Sequence, residues 1–265
     1  MKTAIQRLLA ANGPGRLPRI VTNYDPDWDG DDDSSPAFDP DMDGDQATMF
    51  FYDIIGGWDQ PATEDIVRGI RALKASTIHL RINSPGGLVF ESVAIKTALE
   101  QHPAQVIAHV DGLAASAAST LMLAADEIEI APGGFVMIHN AETFAWGNKE
   151  IMAQAIAMLE AIDGSIAAQY GARTGLALED VAAMMAAETW LSAQDAVDKK
   201  LVDRIAAPSR ASNRASNLIS RFDLTAYRNP PAALLKPPGE SEALAKARAL
   251  QAHNERRLRL LALGA

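Results

Sequence analysis

Two short segments hold residues whose types and spacing suit covalent catalysis. In Asp111-Gly-Leu-Ala-Ala-Ser116-Ala-Ala-Ser-Thr a strand-like run ends, a glycine turns the chain, and a helix of very small residues begins at Ser116. A hydroxyl at such a helix mouth lies beside N–H groups without partners inside the helix, which favours a developing oxyanion. These are the mechanics of a nucleophile elbow, without its G-x-S-x-G sequence. The same residues equally suit a serine N-cap on a tightly packed helix. In Asn83-Ser84-Pro85-Gly86-Gly87 a glycine pair follows an apolar strand, so main-chain N–H groups there can face a ligand unobstructed. An ordinary strand-to-helix turn reads the same way.

A serine nucleophile needs a base, and the chain has five histidines. His102 and His253 fall in exposed helical or helix-end segments. His79 and His109 lie within strands and read as packing residues. His139 ends the strand Phe135-Val-Met-Ile-His and precedes an Asn-Ala loop, from which an imidazole can reach a neighbouring loop. A carboxylate should orient that imidazole. Glu188, at a helix end just before Trp190-Leu-Ser-Ala, is one candidate among many acids.

The elements that must position these groups alternate in period. Thr48–Ile55, Ser76–Asn83, Gln105–Val110, Glu127–Ile130 and Phe135–Ile138 read as strands. Thr63–Lys74, with Ile66, Ile70 and Leu73 on one face and Thr63 as a cap, reads as a helix. So do Leu88–His102, Ala114–Ala125, Asn148–Tyr170, Leu176–Ala187 and Ser192–Lys199, the last with Ser192 and Asp195 at capping-box spacing. The pattern predicts stacked βαβ units, an α/β domain.

Composition bounds the rest. The chain has 265 residues, 48% of them apolar, which suffices for a sizeable core. It has no cysteine, which excludes a disulfide framework, a thiol nucleophile and a Cys-based zinc site. The longest uncharged apolar run, Gly112 to Ala125, is too short to cross a bilayer, and no secretory signal is expected at the start. The net charge of −10 is unevenly placed: residues 25–45 hold ten Asp and no Lys or Arg, whereas from Arg204 onward eleven Lys/Arg face four Asp/Glu. Bulk nucleic-acid binding is thereby disfavoured. Asp25-Pro-Asp-Trp-Asp-Gly-Asp31 recurs as Asp39-Pro-Asp-Met-Asp-Gly-Asp45, which resembles the start of a calcium loop. The twelfth positions are Pro36 and Phe50 instead of Glu, so a solvated acidic segment is the plainer reading. Three zones follow: an acidic arm over 1–46, a compact domain over 47–206, and a linker with a basic amphipathic helix (Glu240 to Leu263) over 207–265. Arm and tail either pair between subunits or remain independent solvated segments.

Taken in order, Ile82-Asn-Ser-Pro-Gly-Gly87, Gly112-Leu-Ala-Ala-Ser116-Ala, Val136-Met-Ile-His139 and Trp190-Leu-Ser-Ala193 resemble the ClpP family of serine peptidases. The last leads into Ala196-Val and Leu201-Val-Asp203, and the resemblance covers about residues 48–206. It implies the α/β spiral of ββα units shared by ClpP and crotonases, with Asn148–Tyr170 as a protruding handle helix. It further implies Ser116 as nucleophile, His139 as base and then acid, and the N–H groups of Gly87 and Ala117 as oxyanion hole. Glu188 stands where the family usually has Asp, and substrate would add as an extended strand beside Leu88 and Val89. Closed homo-oligomeric rings, polypeptide substrates, and neither cofactor nor metal are implied, with no specific nucleic acid and no membrane.

The long acidic arm and basic tail look unlike the cellular enzyme and look like the ClpP-related head maturation proteases of tailed phages and prophages. Their substrates are capsid and scaffold proteins, processed in the bacterial cytoplasm or inside the procapsid. Three other readings stay open: a ClpP-type peptidase paired with an unfoldase ATPase, a ring-forming scaffold protein without activity, and a crotonase acting on acyl-CoA.

Overall fold

The computed structural model describes residues 39–57, 61–207, 222 and 224–235. The first copy of the acidic repeat and the expected basic helix lie outside the described residues.

Strand β1 (Asp41–Asp43) and β2 (Gln46–Phe51) form an antiparallel pair across a Gly44-Asp45 turn, so the second acidic copy folds as a hairpin and not as a calcium loop. Asp45 is spent on Ser76, accepting its N–H at 2.7 Å and its Oγ–H at 2.6 Å. The last six residues of the stretch expected to be a solvated arm, 41–46, thus belong to the sheet hairpin. Helix α1 (Thr63–Ala72) crosses to β3 (Thr77–Ser84), helix α2 (Val89–Glu100) to β4 (Gln105–Ala115), and the short α3 (Ala117–Leu121) to β5 (Glu127–Ile130). The strands from β2 to β5 pair in parallel, which is what crossovers of this length produce. After β6 (Phe135–Ile138) come α4 (Lys149–Thr174), α5 (Leu178–Ala186), β7 (Thr189–Ser192), α6 (Ala193–Asp198) and β8 (Arg204–Ile205). Beyond them lie a single 3₁₀ turn at Leu224–Ala226 and the short α7 (Ala232–Leu235).

Alternation decides the faces. In β3, Ile78, Leu80 and Ile82 are fully buried against the helices. The opposite face is polar and chained by hydrogen bonds. His79 Nδ1 meets His109 Nε2 at 2.9 Å, and His109 Nδ1 meets Glu129 at 2.7 Å. His79 and His109 therefore lie on strands as expected, but bond to each other on the polar face and do not pack in the core. Thr63 is the first helical residue of α1 and does not cap it; extended Ala62, after Pro61, takes the cap position. The Ser192–Asp195 capping box forms at α6 as the sequence indicates.

The largest departure is at β4. It runs past Val110 to Ala115, and the helix expected from Ala114 starts only at Ala117. The residues Gly112 to Ala115 are buried, and their small side chains let a strand continue between two partners: Ala114 pairs with Ser84 on one side and with Val136 on the other. The 26-residue helix α4 is the protruding element. Asn148 caps its start and Gly175, at φ 76°, ends it. Its first part carries exposed Ile151, Ile156 and Met158, whereas Ile166, Ala167, Tyr170 and Gly171 anchor its last part in the core. By length and composition it is the one described helix that matches a membrane span, with mean hydropathy 1.4.

Truncating Leu80, at 0% exposure on a central strand, should lower the unfolding free energy by about 2–5 kcal/mol. Glu64→Ala, which removes the exposed pair with Arg68, should change it by less than about 0.5 kcal/mol. Equilibrium denaturation of both variants checks the contrast.

Candidate active site

Parallel pairing of β4 with β6 brings the two sequence-predicted reactive groups together. Ala115 faces Met137 in that register, and the Ser116 N–H continues the ladder to the Met137 carbonyl at 3.0 Å. Ser116 therefore leaves β4 alongside the point where His139 leaves β6. The result is a hydrogen bond of 2.8 Å between Ser116 Oγ and His139 Nε2.

Ser116 sits at φ 53°, ψ −125°, a strained conformation for a residue with a side chain. Its neighbours hold it there. The Ser116 carbonyl accepts from Ser119 N at 2.9 Å and Ser119 Oγ at 2.6 Å, and Ser119 Oγ in turn meets Tyr170 of α4 at 2.6 Å. The Ala117 carbonyl accepts from Ser92 and Thr120, each at 2.8 Å. These bonds tie the turn to α2 and α4, so the strain is supported by surrounding buried structure.

The glycine pair lies directly against this turn. A Cβ on Gly86 would fall 2.6 Å from Ser116 Cβ and 3.1 Å from Ala117 N, and one on Gly87 would fall 2.1 Å from the Ile55 carbonyl oxygen. At φ 105° and 149°, with no space for a methyl group, both positions require glycine. Ser84 Oγ stabilises the bend by donating to the Asp53 carbonyl at 2.6 Å and accepting from Gly86 N at 3.1 Å. Gly86 thus lies against the Ser116–Ala117 turn, and Gly87, the next residue along, packs on Ile55. Leu88 and Val89 are placed differently from expectation. The Leu88 N–H donates to Ile55 O at 2.9 Å, its carbonyl accepts from Ser92 N at 3.1 Å, and Val89 already belongs to α2. Leu88 has spent its main-chain groups internally, so it does not offer the free strand edge foreseen for substrate.

The electrostatics suit a base. Burial lowers the His139 pKa below 6.5; Glu142, Glu188 and Asp163 pull it back through space, and Arg228 adds to the lowering. The imidazole is accordingly neutral near neutral pH, with a lone pair available. Glu188 corrects the sequence reading. It is 3% exposed, at φ 52°, and accepts from Arg228 N at 2.8 Å, Asn229 N at 2.6 Å and Trp190 Nε1 at 3.2 Å. Among the described residues no hydrogen bond joins it to His139, because two main-chain donors and an indole occupy its oxygens. Burial pushes its pKa up, but those three donors outweigh burial and hold it below the ordinary value.

Residues from the tail, in the stretch expected to be a linker, complete the surroundings. Leu224 is buried against Leu113, Ala115 and Met137, with Phe222, Tyr227 and Leu234 beside it. The Tyr227 ring meets His139 edge to face, centroids 5.7 Å apart, and its hydroxyl donates to the Pro85 carbonyl. The available signal was a spaced apolar set, Phe222, Leu224, Tyr227 and Leu234, inside a stretch read as linker. Among the described residues no cluster of three or more His, Asp or Glu could hold a metal ion.

Two outcomes follow from this geometry. Ring-proton NMR should place the His139 midpoint below 6.5, and a midpoint at or above 6.5 would mean a solvated imidazole. Since the folded value is the lower one, this group adds stability above its unfolded pKa and withdraws it as pH falls through that value. Gly87→Ala, forced into Ile55, should cost more than about 1 kcal/mol of stability in denaturant titrations.

Comparison with known proteins shows the family. The Clp protease family model matches residues 48–209. An ATP-dependent Clp protease proteolytic subunit of Chlorella vulgaris is 29% identical over 138 residues, which cover 51% of this chain and 68% of that protein. A protein of the same description from Pleurastrum terricola is 30% identical over 128 residues, 48% of this chain and 65% of the relative. Among solved structures, a mutant ClpP1 from Listeria monocytogenes aligns at a TM-score of 0.52 and 25% identity, over 62% of this chain and 94% of that one. The matched span holds Ser116, His139, Glu188 and both glycines of the turn, and the chain belongs to the Clp protease family.

Proposed function

We propose that this protein is a serine endopeptidase working through an acyl-enzyme, and that it processes capsid and scaffold proteins during phage procapsid maturation. The observation that carries the chemistry is the 2.8 Å bond from the strained Ser116 to a neutral, half-buried His139. Ser116 Oγ attacks the scissile carbonyl while His139 Nε2 takes its proton. The carbonyl oxygen, now an anion, lies against the N–H groups of Gly87 and Ala117. His139 returns the proton to the leaving amine, and water attacks the ester by the same route in reverse. Glu142, Glu188 and Asp163 stabilise the transient imidazolium through space. No metal or cofactor takes part in these steps.

The capsid assignment is supported by what flanks the family-matched region: an acidic segment with ten Asp before it and a basic stretch after it. Such segments suit charged assembly partners, and assembly itself can deliver substrate without an ATPase. Homo-oligomeric rings are part of the proposal, since Ile151, Ile156 and Met158 of α4 expose apolar surface that a second ring would cover. The place of action is then the bacterial cytoplasm or the procapsid interior. A second reading is favoured by the curated relatives, which are described as subunits of an ATP-dependent protease. In that case an unfoldase would deliver the substrate.

Ser116→Ala should abolish peptide hydrolysis and fluorophosphonate labelling while leaving circular dichroism unchanged, and His139→Ala should lower kcat at least about a thousandfold. Labelling that survives in Ser116→Ala would remove the proposed nucleophile. Purified chain should cleave scaffold or capsid protein without ATP; cleavage only with ATP and an unfoldase would favour the second reading.

A further inference from the structure

Resting on the peptidase reading above, we propose that Tyr227 is the positioning residue for the His139 imidazole, and that Glu188, besides its charge acting through space, has an indirect role on the base by clamping the segment that carries Tyr227. A catalytic imidazole must be held in one rotamer, and a hydrogen-bonded carboxylate is the usual means. Here the buried carboxylate that the sequence offers for that task bonds elsewhere. Its oxygens accept from the main-chain N–H groups of Arg228 and Asn229 and from the indole of Trp190. Those two amides immediately follow Tyr227, so the clamp fixes its backbone.

The Tyr227 side chain is then fixed at three points. Its ring meets Trp190 edge to face at 5.4 Å and 82°. It meets His139 likewise at 5.7 Å and 75°, a favourable geometry for aromatic pairs. Its hydroxyl, kept protonated by burial, donates to the Pro85 carbonyl, two residues before Gly87. One side chain from outside the family-matched span therefore joins the base to the oxyanion turn. Nearby Leu224 in the apolar cluster anchors the segment from its other end. Further support comes from the charges facing His139: Glu142 on the loop after β6, Glu188 before β7, Asp163 on α4 and Arg228 on the tail. Changing Tyr227 removes none of these charges, so the loss of the ring itself is a loss of burial and orientation.

Steady-state kinetics and pH profiles of the full chain test this. Tyr227→Ala should lower kcat by about ten- to a hundredfold with KM within about threefold, the range expected for a misplaced catalytic group. The acid limb of its kcat/KM profile should move up toward 6.5 as water reaches the imidazole. Tyr227→Phe keeps the ring and should retain activity within about threefold and an unmoved acid limb. Tyr227→Leu, which keeps an apolar side chain but neither the reach nor the edge of the ring, should behave like the alanine variant even if the latter folds poorly. Glu188→Gln should lower kcat as well, and combining it with Tyr227→Leu should cost less than the product of the two single losses, as expected for a partly shared path. Wild-type kcat and an unmoved acid limb in Tyr227→Leu would overturn the proposal. Increased activity would also overturn it, because the segment would then be a cover over the site. Full additivity with Glu188→Gln would overturn the indirect role of Glu188. Ser116→Ala run alongside separates the two levels: activity surviving there refutes the peptidase reading itself, whereas loss there with no Tyr227 effect refutes this proposal alone.

Discussion

Strand β4 has to satisfy two partners at once, and the site exists because it does. Its first half pairs with β3 and β5, and its end pairs with β3 and β6. Only small residues allow a strand to stay buried through such a change of neighbours, and Gly112-Leu-Ala-Ala115 supplies three of them in four positions. The parallel register of Ala115 with Met137 then dictates that Ser116 and His139 leave the sheet side by side. The Ser116–His139 bond follows from backbone pairing more than from any attraction between the two side chains. A slip of one residue in that register would turn one of them away.

Strain is concentrated where chemistry would occur. Ser116 and Glu188, together with Lys200, are the non-glycine residues at positive φ among the described residues, and two of the three belong to the site. The cost of such conformations, about 1–3 kcal/mol each, is offset by the hydrogen bonds that converge on them. Ser119 and Tyr170 hold the first, and the tail amides with Trp190 hold the second. Tyr170 links the nucleophile turn to the base of α4, so the protruding helix is mechanically connected to the reactive serine.

Much of this was legible in the residues. The alternating strands β3 and β5, and β6 with its continuous apolar run, lie where the pattern puts them, and Ser116, His139 and the glycine pair were each marked by motif. The start of the helix after Ser116 was misread because alanine-rich stretches carry no periodicity that separates a buried strand from a helix. Glu188 was matched by position, but position does not reveal which donors a buried carboxylate meets. Two of its three donors come from forty residues or more further along, across a Ser/Asn/Arg-rich stretch that looks like a linker. Tyr227 was invisible for the same reason: its role depends on a tertiary contact, and a lone tyrosine beside Pro230-Pro231 has no local signature. The Leu88 edge failed because Ile55, four residues beyond β2, folds back to pair with Gly86 and Leu88.

The most direct test of the account is a crystal structure of the full chain after reaction with a fluorophosphonate. The account predicts phosphorus bonded to Ser116 Oγ, His139 Nε2 within hydrogen-bond distance of the adduct, and the phosphoryl oxygen about 3 Å from the N–H groups of both Gly87 and Ala117. An adduct on another residue, or a phosphoryl oxygen turned away from those two amides, would contradict it.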